Sequence, residues 1–314
     1  MSTSTLKELP YMELLPQETS GTVAKLELLA RAKTLGTISG RHVSPNKGFS
    51  VEFAEHRQYV PGDDLRNLDW RVFGKADRYY IKQYIEETNL RATIILDASG
   101  SMRYTGESAS KLGGKRVSKF EYARYLAAAL AYLMIRQQDA VGLVTFDKEV
   151  RTHIRSASRP SQVRRILEEL HGTEAGDDTA LSETLHEIAE IVPSRGLVIV
   201  LSDLFDDPDA LVKALHHFAF RGHELILFHV MAEEELTFPF DRFQEFIDLE
   251  PGAVGRTKVD PRTIRAAYLE RVRSFVSQLE RACGQLKADY VPVNTKKPYE
   301  KALSDYLTAR RSRV

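Results

Sequence analysis

The sequence predicts a doubly wound α/β fold with a mostly parallel sheet, preceded by a small β-rich N-terminal module. From residue 91 onward, short Val/Ile/Leu-rich runs alternate with longer amphipathic segments, as strands and helices alternate in such folds. The apolar runs are nearly continuous, which is typical of parallel strands covered by helices on both faces. The 314 residues are 43% hydrophobic and 28% charged, a balance that fits a globular chain of one or two domains.

The part of the chain before residue 91 lacks this alternation. Residues 1–18 are polar and interrupted by prolines, so we predict a flexible tail there. Residues 19–90 are predicted to form a helix followed by a β-rich module, and residues 91–314 to form the α/β domain. The elements predicted in the module are a helix at 23–33, strands at 49–59, 68–73 and 79–85, and a turn at Pro61-Gly62.

The α/β domain is predicted to combine parallel strands with an antiparallel strand at one sheet edge. The antiparallel strand, at 149–154, follows its neighbour too closely for a helical crossover and must return by a hairpin. Within residues 231–260, whose pattern is the least regular of the chain, Glu233-Glu234-Glu235 followed by Phe238-Pro-Phe240 is predicted to be a surface excursion, and a short strand is predicted at 246–249. The parallel strands are predicted at 92–96, 140–146, 197–201, 224–230 and 288–293, and the helices at 118–137, 160–170, 180–192, 208–220, 261–283 and 298–310.

Oxygen-bearing side chains collect where these strands end. Asp97 ends the first strand and is followed by Ser99 and Ser101. Ligands of open α/β sheets bind beyond the carboxyl ends of the strands, where the strand order reverses. With the common order 3-2-1-4-5-6, the strand that runs into Asp203 lies beside the first strand, and the turn ending in Thr179 supplies another oxygen. Because hard cations take oxygen ligands, we predict a Mg²⁺ site, with Mn²⁺ or Ca²⁺ as alternatives.

The charge of this predicted site favours binding over hydrolysis. It offers a divalent cation only two carboxylates, with neutral hydroxyls as the remaining donors. Such a cation stays electrophilic and would accept an Asp or Glu of another protein, whereas a catalytic two-metal centre carries more carboxylates and a base for water. In the simpler alternative, Ser99 and Ser101 merely cap the next segment and Asp203 merely ends a strand.

The run Asp97-Ala-Ser99-Gly-Ser101, together with Thr179 and Asp203, resembles the metal-ion-dependent adhesion site of von Willebrand factor A-type domains. The resemblance extends from residue 91 to about residue 310. It implies a Rossmann-like sheet that holds Mg²⁺ or Mn²⁺, with an open coordination position for a partner's carboxylate. It also implies that Ser99, Ser101 and Thr179 are direct or nearly direct ligands, and that Asp97 and Asp203 often act through water.

A longer block resembles the signature of the domain-of-unknown-function 58 family. The block reads Phe53-Ala-Glu55-His-Arg57-Gln-Tyr59-Val-Pro61-Gly62-Asp63-Asp64-Leu-Arg66-Asn-Leu-Asp69-Trp70, followed by Lys82-Gln-Tyr84 and Glu86-Glu87. The resemblance implies an adaptor that acts with a MoxR-type AAA+ ATPase, or with the client of that ATPase, in protein maturation or remodelling. Many members carry N-terminal membrane spans, which this sequence lacks.

The charged part of that block, from Arg57 to Trp70, has two interpretations. It could be a binding face for a partner, or an internal ion-pair brace that holds the module on the sheet. Deleting one partner of a buried ion pair is costly, so a brace imposes strict sequence demands as well. We favour the brace, and we predict Trp70 to be a packing anchor.

Composition and missing motifs narrow the function further. Lys+Arg and Asp+Glu are both 44, so the net charge gives no general attraction to nucleic acid or to an anionic membrane. The single cysteine, Cys283, rules out an intramolecular disulfide, and no apolar run approaches the ~20 residues of a membrane span, so we predict a cytoplasmic protein without membrane insertion. The basic end, Arg310-Arg311-Ser-Arg313, is predicted to be a frayed, solvated terminus.

The sequence therefore predicts a non-enzymatic, metal-dependent interaction protein. Around Gly114-Lys115 the phosphate-binding loop pattern fails, because Ala109 stands where its first glycine is required. One alternative is a Mg²⁺-dependent phosphoester hydrolase that uses the same crevice, with Asp177, Asp178 or Asp206 as the general base. Another is a structural scaffold whose metal site is vestigial.

Overall fold

The computed structural model describes most of the chain after residue 90 and parts of the chain before it. The described residues are 10–15, 42–43, 52–60, 68–76, 78–85, 87–88, 90–176, 180–193, 195–247, 249 and 256–312. The strands are β1 (His42–Val43), β2 (Glu52–Gln58), β3 (Tyr80–Ile85), β4 (Glu87–Thr88), β5 (Arg91–Asp97), β6 (Lys111–Leu112), β7 (Lys115–Arg116), β8 (Ala140–Phe146), β9 (Val150–Ala157), β10 (Leu197–Ser202), β11 (Glu224–Met231), β12 (Gln244–Ile247), β13 (Arg256–Val259) and β14 (Asp289–Asn294). The helices are α1 (Trp70–Ala76), α2 (Lys119–Arg136), α3 (Ser161–Gly172), α4 (Leu181–Ile191), α5 (Pro208–Phe220), α6 (Glu233–Thr237), α7 (Pro261–Leu286) and α8 (Tyr299–Arg311), with 3₁₀ turns at Pro10–Leu14 and Gly100–Arg103.

A six-stranded sheet forms the centre of the protein, in the order β14-β11-β10-β5-β8-β9. All neighbouring strands are parallel except β8 and β9, which are antiparallel. Numbered from β5, this is the predicted order 3-2-1-4-5-6, read from the β9 edge. The mostly parallel sheet, the antiparallel edge strand and the helices between the strands are thereby confirmed.

Helices cover both faces of this sheet because its strands are apolar on both sides. Successive residues of a strand point to opposite faces, so Ile94 packs in one core cluster and Ile95 in the other. The first cluster contains side chains of α2, α3 and α8, and the second contains side chains of α4, α5 and α7. No helix within the described ranges has both the length and the apolar character needed to cross a membrane.

In the described part of the N-terminal module, β2 and β3 lie within the strands predicted at 49–59 and 79–85, and they pair with each other in the antiparallel direction. The predicted strand at 68–73 is wrong, because α1 begins at Trp70 after a single bridge at Leu68. Asp69 starts this helix: its Oδ1 accepts hydrogen bonds from Arg71 N at 2.9 Å and Val72 N at 3.3 Å, as an N-cap residue does.

Trp70 is 65% exposed, so its prediction as a packing anchor is also wrong. Its ring meets the ring of Phe73 edge to face, at 6.2 Å between centroids. The predicted helix at 23–33, the turn at Pro61-Gly62 and most of the charged block lie outside the described residues.

Residues 10–15 differ from the predicted tail. Pro10–Leu14 form a 3₁₀ turn, and Leu14 and the following Leu15 are buried in the core cluster of α2 and α3. The ring of Tyr11 lies under the guanidinium of Arg164, at 5.8 Å from its centroid. Two adjacent leucines thus dock this piece of the chain on the α/β core, while the division of the chain at residue 91 stays a prediction.

Candidate metal centre

The parallel pairing of β5 with β10 places two acidic residues at one edge of the sheet. Leu96 is in register with Leu201, so both strands end at the same level. Asp97 is the last residue of β5, and Asp203 directly follows β10. The predicted proximity of these two strand ends is confirmed by this topology.

Asp97 is almost fully buried and both of its carboxylate oxygens accept hydrogen bonds. The Oδ1 atom accepts from Ser99 N at 2.8 Å, and the Oδ2 atom accepts from the hydroxyl of Ser202 at 2.5 Å. The first bond tightens the turn that follows β5, and the second ties β5 to β10. The carboxylate is therefore held in one orientation at the strand end.

The two predicted serine ligands lie side by side in this turn. Their hydroxyl oxygens are 3.2 Å apart, and the hydroxyl of Ser101 also bonds Asp203. Asp97, Ser99, Ser101 and Asp203 are thus brought together, as predicted. Thr179, the fifth predicted residue, lies outside the described residues.

The turn after β10 has an unusual backbone that is fixed by the same network. Leu204 has a φ of 55°, in the left-handed region that costs energy for a residue with a Cβ atom. Its N–H donates to Ser202 Oγ at 2.8 Å, and its side chain is fully buried. Because Leu204 turns inward, the next side chain, Phe205, points to solvent and is 74% exposed.

A buried lysine that sequence reasoning missed lies in the same network. Lys119, the first residue of α2, is 2% exposed. Its Nζ atom lies 2.7 Å from Asp203 Oδ2 and 2.6 Å from Glu235 Oε1. The capping box of Ser118 and Glu121, which fixes the start of α2, is readable in the sequence. The contact between Lys119 and Asp203 is not readable, because it depends on how α2 packs against β10.

The two carboxyl groups of the site have opposite electrostatic surroundings. Burial, and then the nearby charge of Asp203, raise the pKa of Asp97 to about 7. Burial is the largest influence on Asp203 and opposes its ionisation, but the charge and hydrogen bond of Lys119, together with hydrogen bonds from Ser101 and Phe205 N, outweigh burial and lower the pKa of Asp203. Lys119 thus balances Asp203, whereas the buried Asp97 carboxylate has no cation beside it among the residues described.

This donor set fits a hard divalent cation. It consists of two carboxyl groups and two hydroxyls, all oxygen donors, and the carboxyl group of Asp97 has no described cation beside it that would compete with a metal ion. Within the described ranges, no group of three or more His, Cys, Asp and Glu side chains could hold a metal ion, so a metal here would depend on the serine hydroxyls. Asp206, one candidate for a general base, instead accepts hydrogen bonds from Ser182 N at 2.8 Å and Ser182 Oγ at 2.6 Å at the start of α4.

The acidic run Glu233-Glu234-Glu235 is not the surface excursion that the sequence predicts. Each of the three side chains binds a different element near the site. Glu233 accepts from Asn294 Nδ2 at 2.6 Å, Glu234 accepts from Ser108 N at 2.8 Å, and Glu235 binds Lys119. Glu234 is only 4% exposed, and its Oε2 atom lies against Gly106, where no Cβ atom would fit. These contacts fasten α6 to the edge of the sheet that carries the site.

Gly176 packs closely against the turn that follows Asp97. Its N–H donates to Ala98 O at 2.5 Å, directly behind the Asp97 turn. A Cβ atom at this position would clash with the Arg151 guanidinium and lie 2.5 Å from Asp147 Oδ2. Asp147 and Arg151 form an ion pair there, so neither side chain can move away without breaking it.

We therefore expect Gly176→Ala to destabilise the protein by about 1–3 kcal/mol, the usual cost of overpacking. The same change should weaken Mn²⁺ binding, because it disturbs the hydrogen bond from Gly176 N to Ala98 O in the turn between Asp97 and Ser99. Gly172→Ala is the matched control, since a Cβ atom at the end of α3 would meet nothing within 4 Å. Denaturant unfolding and Mn²⁺ titration of both variants provide the measurement, and equal behaviour of the two variants would contradict this account of Gly176.

The chain is similar to several proteins whose descriptions carry no assigned activity. The uncharacterized proteins Rv1480 of Mycobacterium tuberculosis and Mb1516 of Mycobacterium bovis are each 25% identical over 264 residues, which cover 82% of this chain and 80% of theirs. The conserved hypothetical protein BatB of Bacteroides thetaiotaomicron is 18% identical, with a TM-score of 0.46, over 72% of this chain and 100% of that one. An aerotolerance-related membrane protein of Bacteroides fragilis is 16% identical, with a TM-score of 0.45, over 70% of this chain and 100% of that one.

The family model described as "Protein of unknown function DUF58" matches residues 55–276. This range contains the whole charged block, from Arg57 to Trp70, and every described residue of the candidate metal centre, from Asp97 to Glu235. The match spans well over half of the chain, and the chain belongs to the DUF58 family.

Proposed function

We propose that this protein is a metal-dependent protein–protein interaction module, with residues 91–314 acting in the manner of a von Willebrand factor A-type domain. The observation that carries the proposal is the Asp97 carboxylate, buried beside two serine hydroxyls and Asp203 at the point where the strand order reverses. A buried carboxylate without a paired cation is costly, and a bound divalent cation removes that cost. In this proposal, residues 91–314 catalyse no reaction and act only by binding a partner protein.

In this proposal each residue of the site has a separate task. Ser99, Ser101 and Thr179 hold the cation, and Asp97 and Asp203 orient the inner ligands and bound waters. A Mg²⁺ ion held in this way supplies an electrophilic position for the carboxylate of a partner's Asp or Glu. Phe205, exposed next to Asp203, offers an apolar contact to the residues that flank that carboxylate.

The proposed partner is a MoxR-type AAA+ ATPase or a client of that ATPase. This part of the proposal is supported by membership of the DUF58 family and by the resemblance described above. The protein would then be an adaptor in the maturation or remodelling of other proteins. Of the three candidate bases for the hydrolase alternative, Asp206 is occupied in capping α4, and Asp177 and Asp178 lie outside the described residues.

Affinity capture of the tagged full-length chain from the lysate of its own host tests the proposal. The capture is run once with Mg²⁺ and once with a chelator, and the retained proteins are identified by mass spectrometry. We expect an AAA+ ATPase or its client to be retained only with Mg²⁺. Equal retention in both conditions would move the interface away from the metal centre and count against metal-bridged binding.

A further inference from the structure

We infer that the ammonium group of Lys119 is a permanent part of the metal centre and that Lys119 acts as a positioning residue. It neutralises Asp203 and thereby limits the affinity of the centre for a divalent metal ion. This inference rests on the proposed function and adds a determinant of metal affinity that lies outside the oxygen ligands. Three features of the structure lead to it: the burial of the ammonium, its two carboxylate partners and its place at the start of a helix.

The ammonium of Lys119 is enclosed by acidic and aromatic side chains. It lies 2.7 Å from Asp203 Oδ2 and 2.6 Å from Glu235 Oε1, and 5.9 Å from the centroid of the Tyr104 ring. Asp203 in turn accepts from Phe205 N at 3.2 Å and bonds the hydroxyl of Ser101. One chain of contacts therefore runs from the serine ligands through Asp203 and Lys119 to Glu235 on α6.

Stability alone does not account for a lysine at this position. Burial of an ammonium is costly, and the first turn of a helix is the end where the macrodipole disfavours a positive charge. A buried ion pair can often be replaced by apolar side chains without loss of stability. The charge of Lys119 is instead placed where it acts on the centre, in direct contact with one of its two carboxylates.

The net charge of the centre predicts whether loss of Lys119 strengthens or weakens metal binding. When ionised, Asp97, Asp203 and Glu235 carry −3 and Lys119 carries +1, which leaves a net charge of −2 that one divalent cation neutralises. Removal of the lysine charge would leave −3 and attract the cation more strongly. Removal of the Glu235 charge would leave −1 and attract it less. With the cation bound, the centre without the lysine charge would carry −1 instead of 0, and this excess negative charge would repel the external carboxylate that is proposed to bind the cation.

Mn²⁺ titration of the full-length chain, by calorimetry or by electron paramagnetic resonance of free Mn²⁺, tests the inference. We expect Lys119→Met to tighten Mn²⁺ binding at least tenfold and Glu235→Gln to weaken it at least tenfold, while Lys119→Arg stays within threefold of wild type. Lys111→Met, which removes an exposed lysine of β6, should leave the affinity unchanged. A thermal melt of each variant with Mn²⁺ establishes that the protein measured is folded.

Opposite shifts from the two charge changes are the decisive result, because a purely structural ion pair would weaken binding in both variants. Unchanged or weaker binding by folded Lys119→Met overturns the inference and leaves the metal centre itself intact. Should Lys119→Met fail to fold, Lys119→Gln takes its place, because it also removes the charge and keeps a polar side chain: tighter binding supports the inference, and unchanged or weaker binding overturns it. No Mn²⁺ binding by the wild-type chain would instead refute the proposed function.

Discussion

Asp97→Ala is expected to reduce Mn²⁺ affinity by more than ~100-fold, beyond the effect usual for residues that only support a metal ligand. Asp97 is the carboxylate of the site that Lys119 does not neutralise, so its loss removes most of the attraction for a cation. The substitution should also abolish Mg²⁺-dependent retention of the partner. Calorimetric Mn²⁺ titration measures the first effect, and affinity capture with and without a chelator measures the second.

Loss of stability has to be separated from loss of ligation in this experiment. Without the carboxylate, the N–H of Ser99 and the hydroxyl of Ser202 lose their acceptor, at about 1–3 kcal/mol for each group left unpaired. Asp139→Ala is the matched control, because Asp139 is also fully buried and accepts from Leu90 N at 2.9 Å at the opposite edge of the sheet. Unimpaired Mn²⁺ binding in Asp97→Ala, or equal impairment in Asp139→Ala, would refute the assignment of Asp97 to the centre.

The sheet and the gathering of the candidate ligands are largely predictable from the sequence. Uninterrupted apolar runs identify buried parallel strands, and the short connection before β9 identifies an antiparallel edge. Right-handed crossovers then leave few possible strand orders, and the common one places Asp97 beside Asp203. Each of these steps depends on residues that are close in sequence or on a general rule of chain topology.

Two predictions for the N-terminal region, the strand at 68–73 and the tail that includes Leu14 and Leu15, are wrong because their local sequence patterns fit more than one structure. Residues 68–73 alternate well enough to suggest a strand, yet Asp69 caps a helix that starts at Trp70. Leu14 and Leu15 are two apolar residues in a polar stretch, too few to predict burial, and they are buried because the helices α2 and α3 provide a surface for them. In both cases the result depends on neighbours that are distant in sequence.

The charged clusters were the least predictable part of the site. Three consecutive glutamates normally indicate a solvated surface, because like charges repel and are costly to bury. Here the geometry of α6 sends Glu233, Glu234 and Glu235 to three different partners, of which Lys119 is the most buried. The ion pair between Lys119 and Glu235 cannot be predicted from the sequence, because the two residues are far apart along the chain. Both side chains nevertheless contribute charge to the metal centre.

The prediction of a frayed, solvated terminus at the basic end of the chain is wrong, because the ion-pair partners of Arg310 are distant in sequence. Arg310 is 2% exposed and is not part of a frayed terminus. Its guanidinium forms ion pairs with Glu224 and Asp289, the first residues of β11 and β14, and donates to Tyr306 Oη at 3.0 Å. These contacts fasten the end of α8 to the amino-terminal edge of the sheet, opposite the metal centre.

Arg310→Met is expected to lower the free energy of unfolding by about 3–5 kcal/mol, the cost of leaving buried charges unpaired. Asp289, which is buried, and Glu224, which is largely shielded from solvent, would both lose their ion pair with this guanidinium. Arg311→Met is the matched control, since the neighbouring arginine is exposed and its removal should change stability by no more than about 0.5 kcal/mol. Denaturant unfolding compares the two variants.

Because Arg310 lies at the far edge of the sheet, Arg310→Met should leave Mn²⁺ affinity within threefold of wild type in the folded protein. A combined Glu224→Gln, Asp289→Asn, Arg310→Met variant removes all three charges and should recover part of the lost stability, because no unpaired charge then remains buried. If the single and triple variants were equally unstable, packing of the arginine stem rather than its charge would hold α8 in place. If Arg310→Met and Arg311→Met were equally mild, the end of α8 would be solvated, as the sequence alone suggests.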